Sequence, residues 1–108
     1  MKANFSNKVL KKILRTIIDS VSPQRVILFG SRTRRDYKND SDYDFMVIKE
    51  GIINEREVSR RIYRALFEKK IEEPVDIIVV DTEKLKIKSQ NPHLIYSWAL
   101  KEGKVLYG

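Results

Sequence analysis

Cysteine is absent from this 108-residue chain, and histidine and tryptophan occur once each, as His93 and Trp98. The missing cysteine excludes disulfides and thiolate metal sites, and with one histidine it leaves carboxylates as the main ligands for any metal. Hard, oxygen-preferring cations are therefore the ones the composition suits. Glycine, at four residues, and proline, at three, are scarce, so flexible linkers and Pro-rich segments are excluded. No apolar run approaches the roughly 20 residues a membrane helix needs, and the N-terminal segment is charged throughout, unlike a signal peptide. No membrane partner and a cytoplasmic location are the expectations. No internal repeat or low-complexity tract appears.

What is present is the composition of a folded domain: 42% apolar and 34% charged residues, a length that holds one core, and no room for a second. Residues 1–108 are read as a single domain. The formal charge is +7, and it is unevenly placed. Residues 1–41 hold ten Lys/Arg against three Asp/Glu, whereas 42–108 hold twelve of each. A basic half suits a polyanion, whether a triphosphate, RNA or an acidic protein surface, and solubility alone accounts for it equally well.

Over residues 5–21, Val9, Leu10, Ile13, Leu14, Ile17, Ile18 and Val21 recur at helical spacing, and Ser22-Pro23 ends the pattern. Arg25 to Phe29 is a β-branched and aromatic run closed by Gly30-Ser31, which reads as a buried strand and a turn. A polar stretch follows, and then a second strand from Asp42 to Ile48. Its Tyr43, Phe45 and Val47 face one side and Met46 and Ile48 the other, so both faces are expected to be covered. Residues 54–70 form a second amphipathic helix with Arg56, Arg60 and Arg64 outward, and Val75 to Val80 a third strand. Asp81-Thr82 can cap a short helix over 83–88, residues 92–101 suit another that stops at Gly103, and 104–107 can add a small strand. The order predicts an α/β (α+β) fold, a small mixed β-sheet with helices packed mainly on one face.

The chemistry concentrates in three acidic residues. In Asp42-Tyr43-Asp44 the carboxylates project from one face of a strand about 7 Å apart. Two like charges in a partly enclosed site either raise one pKa or bind a cation, and magnesium prefers such oxygens, adding substrate phosphates as further ligands. A solvated turn rich in Asn39, Asp40 and Ser41 accounts for Asp42 alone. It does not account for Asp44, which sits among apolar neighbours where an unpaired charge is costly. Asp76 is likewise the one charge in the run Val75-Asp76-Ile77-Ile78-Val79-Val80. If its strand neighbours that of Asp44, three carboxylates converge and can hold two magnesium ions, or Asp76 can act as a base. An exposed strand start or an Arg partner is the plainer alternative. Gly30-Ser31 can open a helical turn whose N–H groups bind phosphate, with Gly30 permitting close approach.

Gly30-Ser31, ten intervening residues and Asp42-x-Asp44 together resemble the signature of the DNA polymerase beta-like nucleotidyltransferase superfamily, and within it the minimal nucleotidyltransferase branch. The runs Leu28-Phe29-Gly30-Ser31-Arg32 and Ser41-Asp42-Tyr43-Asp44-Phe45 align without a gap, and Glu102 to Tyr107 resembles the usual tail. The chain departs from the pattern at Arg35, where many members have Gly, and at Thr33, which replaces a small Ala. The resemblance implies a nucleotidyltransferase fold, with Gly30 and Ser31 on the triphosphate and Asp42 and Asp44 as magnesium ligands completed by Asp76. It also implies ATP or another nucleoside triphosphate as substrate. Members similar to this branch pair with small helical HEPN ribonuclease toxins and act as antitoxins that adenylylate a toxin tyrosine. The rival is a non-catalytic antitoxin that masks its helical partner by binding.

Among the remaining residues, Arg32 is the basic side chain assigned to the phosphates, while Arg34, Arg35, Lys38 and the Arg56/Arg60/Arg64 stripe are read as solvated. His93 is read as structural or surface, and Trp98 and Tyr96 as packing, with a partner interface as the sharper alternative. Direct RNA binding rests on charge alone and is not the expected function.

Overall fold

The computed structural model describes residues 7–33 and 42–108. The first helix, α1 (Lys8–Val21), starts where Asn7 caps it, its side-chain oxygen accepting from the Val9 and Leu10 N–H groups at 2.8 and 3.1 Å. Strand β1 (Arg25–Phe29) runs into a single 3₁₀ turn, Gly30–Thr33. Then come β2 (Tyr43–Lys49), α2 (Glu55–Glu68) capped by Asn54, and β3 (Val75–Asp81). Helix α3 (Thr82–Lys88) follows directly, with the Asp81 carboxylate accepting from Glu83 N–H at 2.9 Å as its cap. Helix α4 (Ile95–Glu102) and strand β4 (Lys104–Tyr107) complete the chain. Every predicted element is present, and the boundaries move by a few residues at most. Residues 5 and 6, where the sequence pattern of the first helix begins, lie outside the described residues.

The four strands form one mixed sheet in the order β3-β2-β1-β4. β1 is antiparallel to both β2 and β4, whereas β2 and β3 run parallel, as the crossover through α2 requires. The two longer helices pack on one face: Ile13 and Ile17 of α1 and Val58, Ile62 and Leu66 of α2 cover Val26, Leu28, Tyr43, Phe45 and Val47. The other face carries Ile27, Phe29, Met46, Ile48 and Val80 beneath the two short helices, through Leu85 and Ala99. The apolar character of both sides of β2 thus finds its physical reason, since this strand is central and covered twice.

Strand β3 is an edge, and its Val75, Ile77 and Ile78 are only partly buried. Two of its outward N–H groups are met by side chains of α2: Ile77 donates to the Tyr63 hydroxyl at 2.9 Å, and Asp81 to Glu55 Oε2 at 3.1 Å. At the other edge, Gly103 lets the chain turn from α4 into β4, because a Cβ there would collide with the Ala99 carbonyl and with Ile27. No helix among the described residues is long and apolar enough to cross a membrane.

The packing separates two positions on neighbouring turns of α2. Ile62 is fully buried and Phe67 is 82% exposed. Urea denaturation should show Ile62→Ala losing about 2–5 kcal/mol and Phe67→Ala staying within about 0.5 kcal/mol of the parent.

Candidate active site

Two strand registers bring the acidic residues together. The antiparallel pairing of β1 and β2 sets Phe29 opposite Asp44, so the chain leaving β1 at Gly30 passes beside the Asp44 carboxylate. The parallel pairing of β2 and β3 sets Asp76 directly beside Asp44, and Tyr43 N–H donates to the Pro74 carbonyl at 3.0 Å at the start of this ladder. Asp42, immediately before β2, completes the group, and one carboxylate oxygen from each of the three lies within 4.8 Å of the others. Asp42 and Asp76 are exposed and Asp44 is half-buried. Asp76 is therefore not a charge enclosed in a buried strand, as the apolar run around it suggests. It stands at the exposed start of an edge strand, and it still meets the other two.

The electrostatics of the group follow from this crowding. Burial, the neighbouring Asp76 and Asp42 charges, and a hydrogen bond with Asp76 push the Asp44 carboxyl up from 3.8 to about 6. The ion pairs seen among the described residues, Arg60–Glu57 and Lys86–Glu83, lie elsewhere on the surface. An all-oxygen donor set with surplus negative charge and two members open to water fits magnesium, which keeps waters and recruits phosphate oxygens.

Gly30 fits this arrangement for two reasons. Its φ of +80° lies in the left-handed region, and a Cβ would strike Asp44 Oδ2. The 3₁₀ turn that it opens is closed by the Thr33 hydroxyl, which donates to the Gly30 carbonyl at 2.6 Å. The backbone of Ser31 belongs to this turn, but its side chain lies outside the described residues, as do Arg34, Arg35, Lys38 and Ser41. Arg32 is only 8% exposed, and its guanidinium lies 4.0 Å from the Tyr43 ring centroid. Strand alternation turns Tyr43 away from the Asp44 side, and the Tyr43 hydroxyl accepts from Asn7 Nδ2 at 3.2 Å. The described contacts of Arg32 thus anchor the turn to the α1 face of the sheet.

Beside the carboxylates lies a cleft of about 450 Å³, lined by Phe29, Gly30, Asp44, Tyr63, Asp76, Ile77, Ile78, Ile95 and Trp98. Trp98 is 53% exposed, and Ile95 and Tyr63 are also exposed. These residues were not separable from packing in the sequence. Tyr63 lies within the arginine-rich face of α2, and Trp98 precedes the buried Ala99 on a helix too short for a clear period. His93 is exposed, and Arg60 forms an exposed 3.9 Å pair with Glu57.

The family described as Polymerase beta, Nucleotidyltransferase matches residues 11–108. Among solved structures, a candidate nucleotidyltransferase from Sulfolobus solfataricus superposes on 91% of this chain and 76% of its own, with a TM-score of 0.61 and 26% identity. A mutant form of the MntA-HpeT toxin-antitoxin covers 91% and 72%, at TM-score 0.52 and 20% identity. A toxin-antitoxin with AMP-PNP covers 91% and 72%, at TM-score 0.54 and 21% identity. The last two establish likeness of fold. No curated protein sequence matches the chain.

The Asp44 shift fixes a pH dependence. In the metal-free protein the folded state holds a proton on Asp44 up to about pH 6, whereas the unfolded chain releases it near 3.8, so folded protein binds more protons between these values. Stability therefore falls as pH rises through this window and levels off above it. Thermal unfolding in EDTA should show this slope in the wild type and not in Asp44→Asn. Magnesium should stabilise the wild type more above the window than within it, because it competes with the proton. Gly30→Ala should cost more than about 1 kcal/mol in the same assay, as expected for Ala at positive φ.

Proposed function

Because the chain belongs to the polymerase beta nucleotidyltransferase family, we propose that it transfers a nucleoside monophosphate, AMP in the leading case, from a nucleoside triphosphate to a hydroxyl of a protein partner. The observation that carries this reading is the convergence of Asp42, Asp44 and Asp76 beside the Gly30 turn. Asp42 and Asp44 would hold magnesium, with Asp76 completing the donor set. When bound, two such ions would neutralise the triphosphate and the departing pyrophosphate. The N–H groups of the Gly30–Ser31 turn hold the phosphates, with Arg32 supporting that turn through Tyr43. The acceptor oxygen attacks the α-phosphorus in line, the bond to the bridging oxygen of the β-phosphate breaks, and pyrophosphate leaves. The exposed carboxylate of Asp76 takes the acceptor proton and passes it to solvent.

The partner we propose is a small helical protein of the HEPN type, with a tyrosine as the acceptor and toxin neutralisation as the outcome. One observation supports a protein acceptor. The cleft is rimmed by exposed Tyr63, Ile95 and Trp98, as is usual where proteins dock. The structural neighbours that are toxin-antitoxin proteins, one of them with AMP-PNP, agree with this reading. An antitoxin that only masks its partner by binding through the same rim is the rival.

Intact-mass measurement of a helical partner protein, incubated with this chain, magnesium and ATP, separates the two. A nucleotide-sized increase is expected with the wild type, reduced about 1,000-fold or more in rate by Asp42→Asn with Asp44→Asn. An unmodified partner held equally tightly by wild type and double mutant would instead establish masking.

A further inference from the structure

Trp98 is the only tryptophan of the chain, and it stands at the junction of two spaces that share Gly30. One is the cleft of about 450 Å³ that also contains Asp44 and Asp76. The other, of about 80 Å³, is enclosed by Gly30, Thr33, Trp98 and Glu102. The smaller is far below the roughly 300 Å³ of ordinary ligand pockets, and the Glu102 carboxylate would repel a phosphate there. The indole is thus a wall common to both spaces, beside the Gly30 turn and the two carboxylates.

That wall is built to be apolar and fixed. Ile95, one turn earlier on α4, is exposed beside Trp98, and Ile77 and Ile78 lie across the cleft. The helix is seated by buried Ala99 and by Gly103 against Ile27 of the central sheet, so the ring is carried on a rigid element. An indole left half-exposed beside a charged cluster gains on covering its face with another ring. Two polar contacts already run along this cleft: the Asp44 and Asp76 carboxyls share a hydrogen bond, and the Tyr63 hydroxyl accepts from Ile77 N–H.

We propose that the exposed face of Trp98 is the platform on which the base of the nucleoside triphosphate stacks, a role that rests on the nucleotidyl transfer proposed above. Because the wall around the indole is built largely of the apolar side chains Ile77, Ile78 and Ile95, recognition follows ring area. Purine triphosphates bind more tightly than pyrimidine triphosphates, with little distinction between adenine and guanine.

The single tryptophan reports on its own role. Titration of the full chain with ATP and magnesium, in the absence of an acceptor, is expected to quench indole fluorescence, and inorganic tripolyphosphate with magnesium is expected to leave it unchanged. By calorimetry, Trp98→Ala should weaken ATP about 10-fold and Trp98→Phe by less than about 3-fold, with tripolyphosphate affinity the same in all three proteins. ATP bound by Trp98→Ala as tightly as by the wild type would overturn the platform and leave the proposed transfer standing. A wild-type chain that binds neither ATP nor tripolyphosphate would overturn both.

Discussion

The backbones of Asp44 and Asp76 cannot part without breaking the ladder between β2 and β3, and much of the structure serves that constraint. Asp44 is fixed opposite Phe29 on one side and beside Asp76 on the other. The hydrogen bonds between β2 and β3 therefore hold like charges at a spacing their mutual repulsion opposes. What offsets this repulsion is burial elsewhere on the same strands. Phe45 and Val47 lie under α1 and α2, and Met46 and Ile48 lie under α3 and α4. A sheet covered on one face alone would have less with which to hold the register. Burial, with the crowding added to it, leaves Asp44 ready to exchange its proton for a cation.

The same strand divides its two sides between support and chemistry. Tyr43 points into the α1 side, where it stacks under Arg32 and accepts from the residue that caps α1. Asp44 points the other way, towards Gly30, Asp76 and the cleft under Trp98. The 3₁₀ turn is thereby held from the face opposite to the one it serves. Its position relative to the carboxylates is set before any ligand arrives, which is the preorganisation that group transfer needs.

The strong periodicities made most of this fold legible in the sequence. The continuous apolar run in β2 announced a doubly covered strand, the isoleucines of α1 a buried face, and Asn54 and Asp81 the helix starts. Asp42 and Asp44 could be singled out because a carboxylate among apolar neighbours demands an explanation. Asp76 stood out on the same ground, although its strand proves to be an exposed edge. Two features were beyond reach. The contact between Arg32 and Tyr43 joins residues across a chain reversal that no local pattern encodes. The cleft wall is assembled from α2, β3 and α4, each contributing one or two side chains, so Tyr63, Ile95 and Trp98 look individually like packing residues.

The side-chain bonds from Tyr63 to Ile77 and from Glu55 to Asp81 also decide how this molecule can associate. A strand arriving at β3 would have to displace both before it could pair, whereas β4 lies two strands away from Asp44 at the far margin of the sheet. Strand addition is thus opposed at the margin that adjoins the carboxylates, which keeps the approach to the cleft clear of sheet pairing.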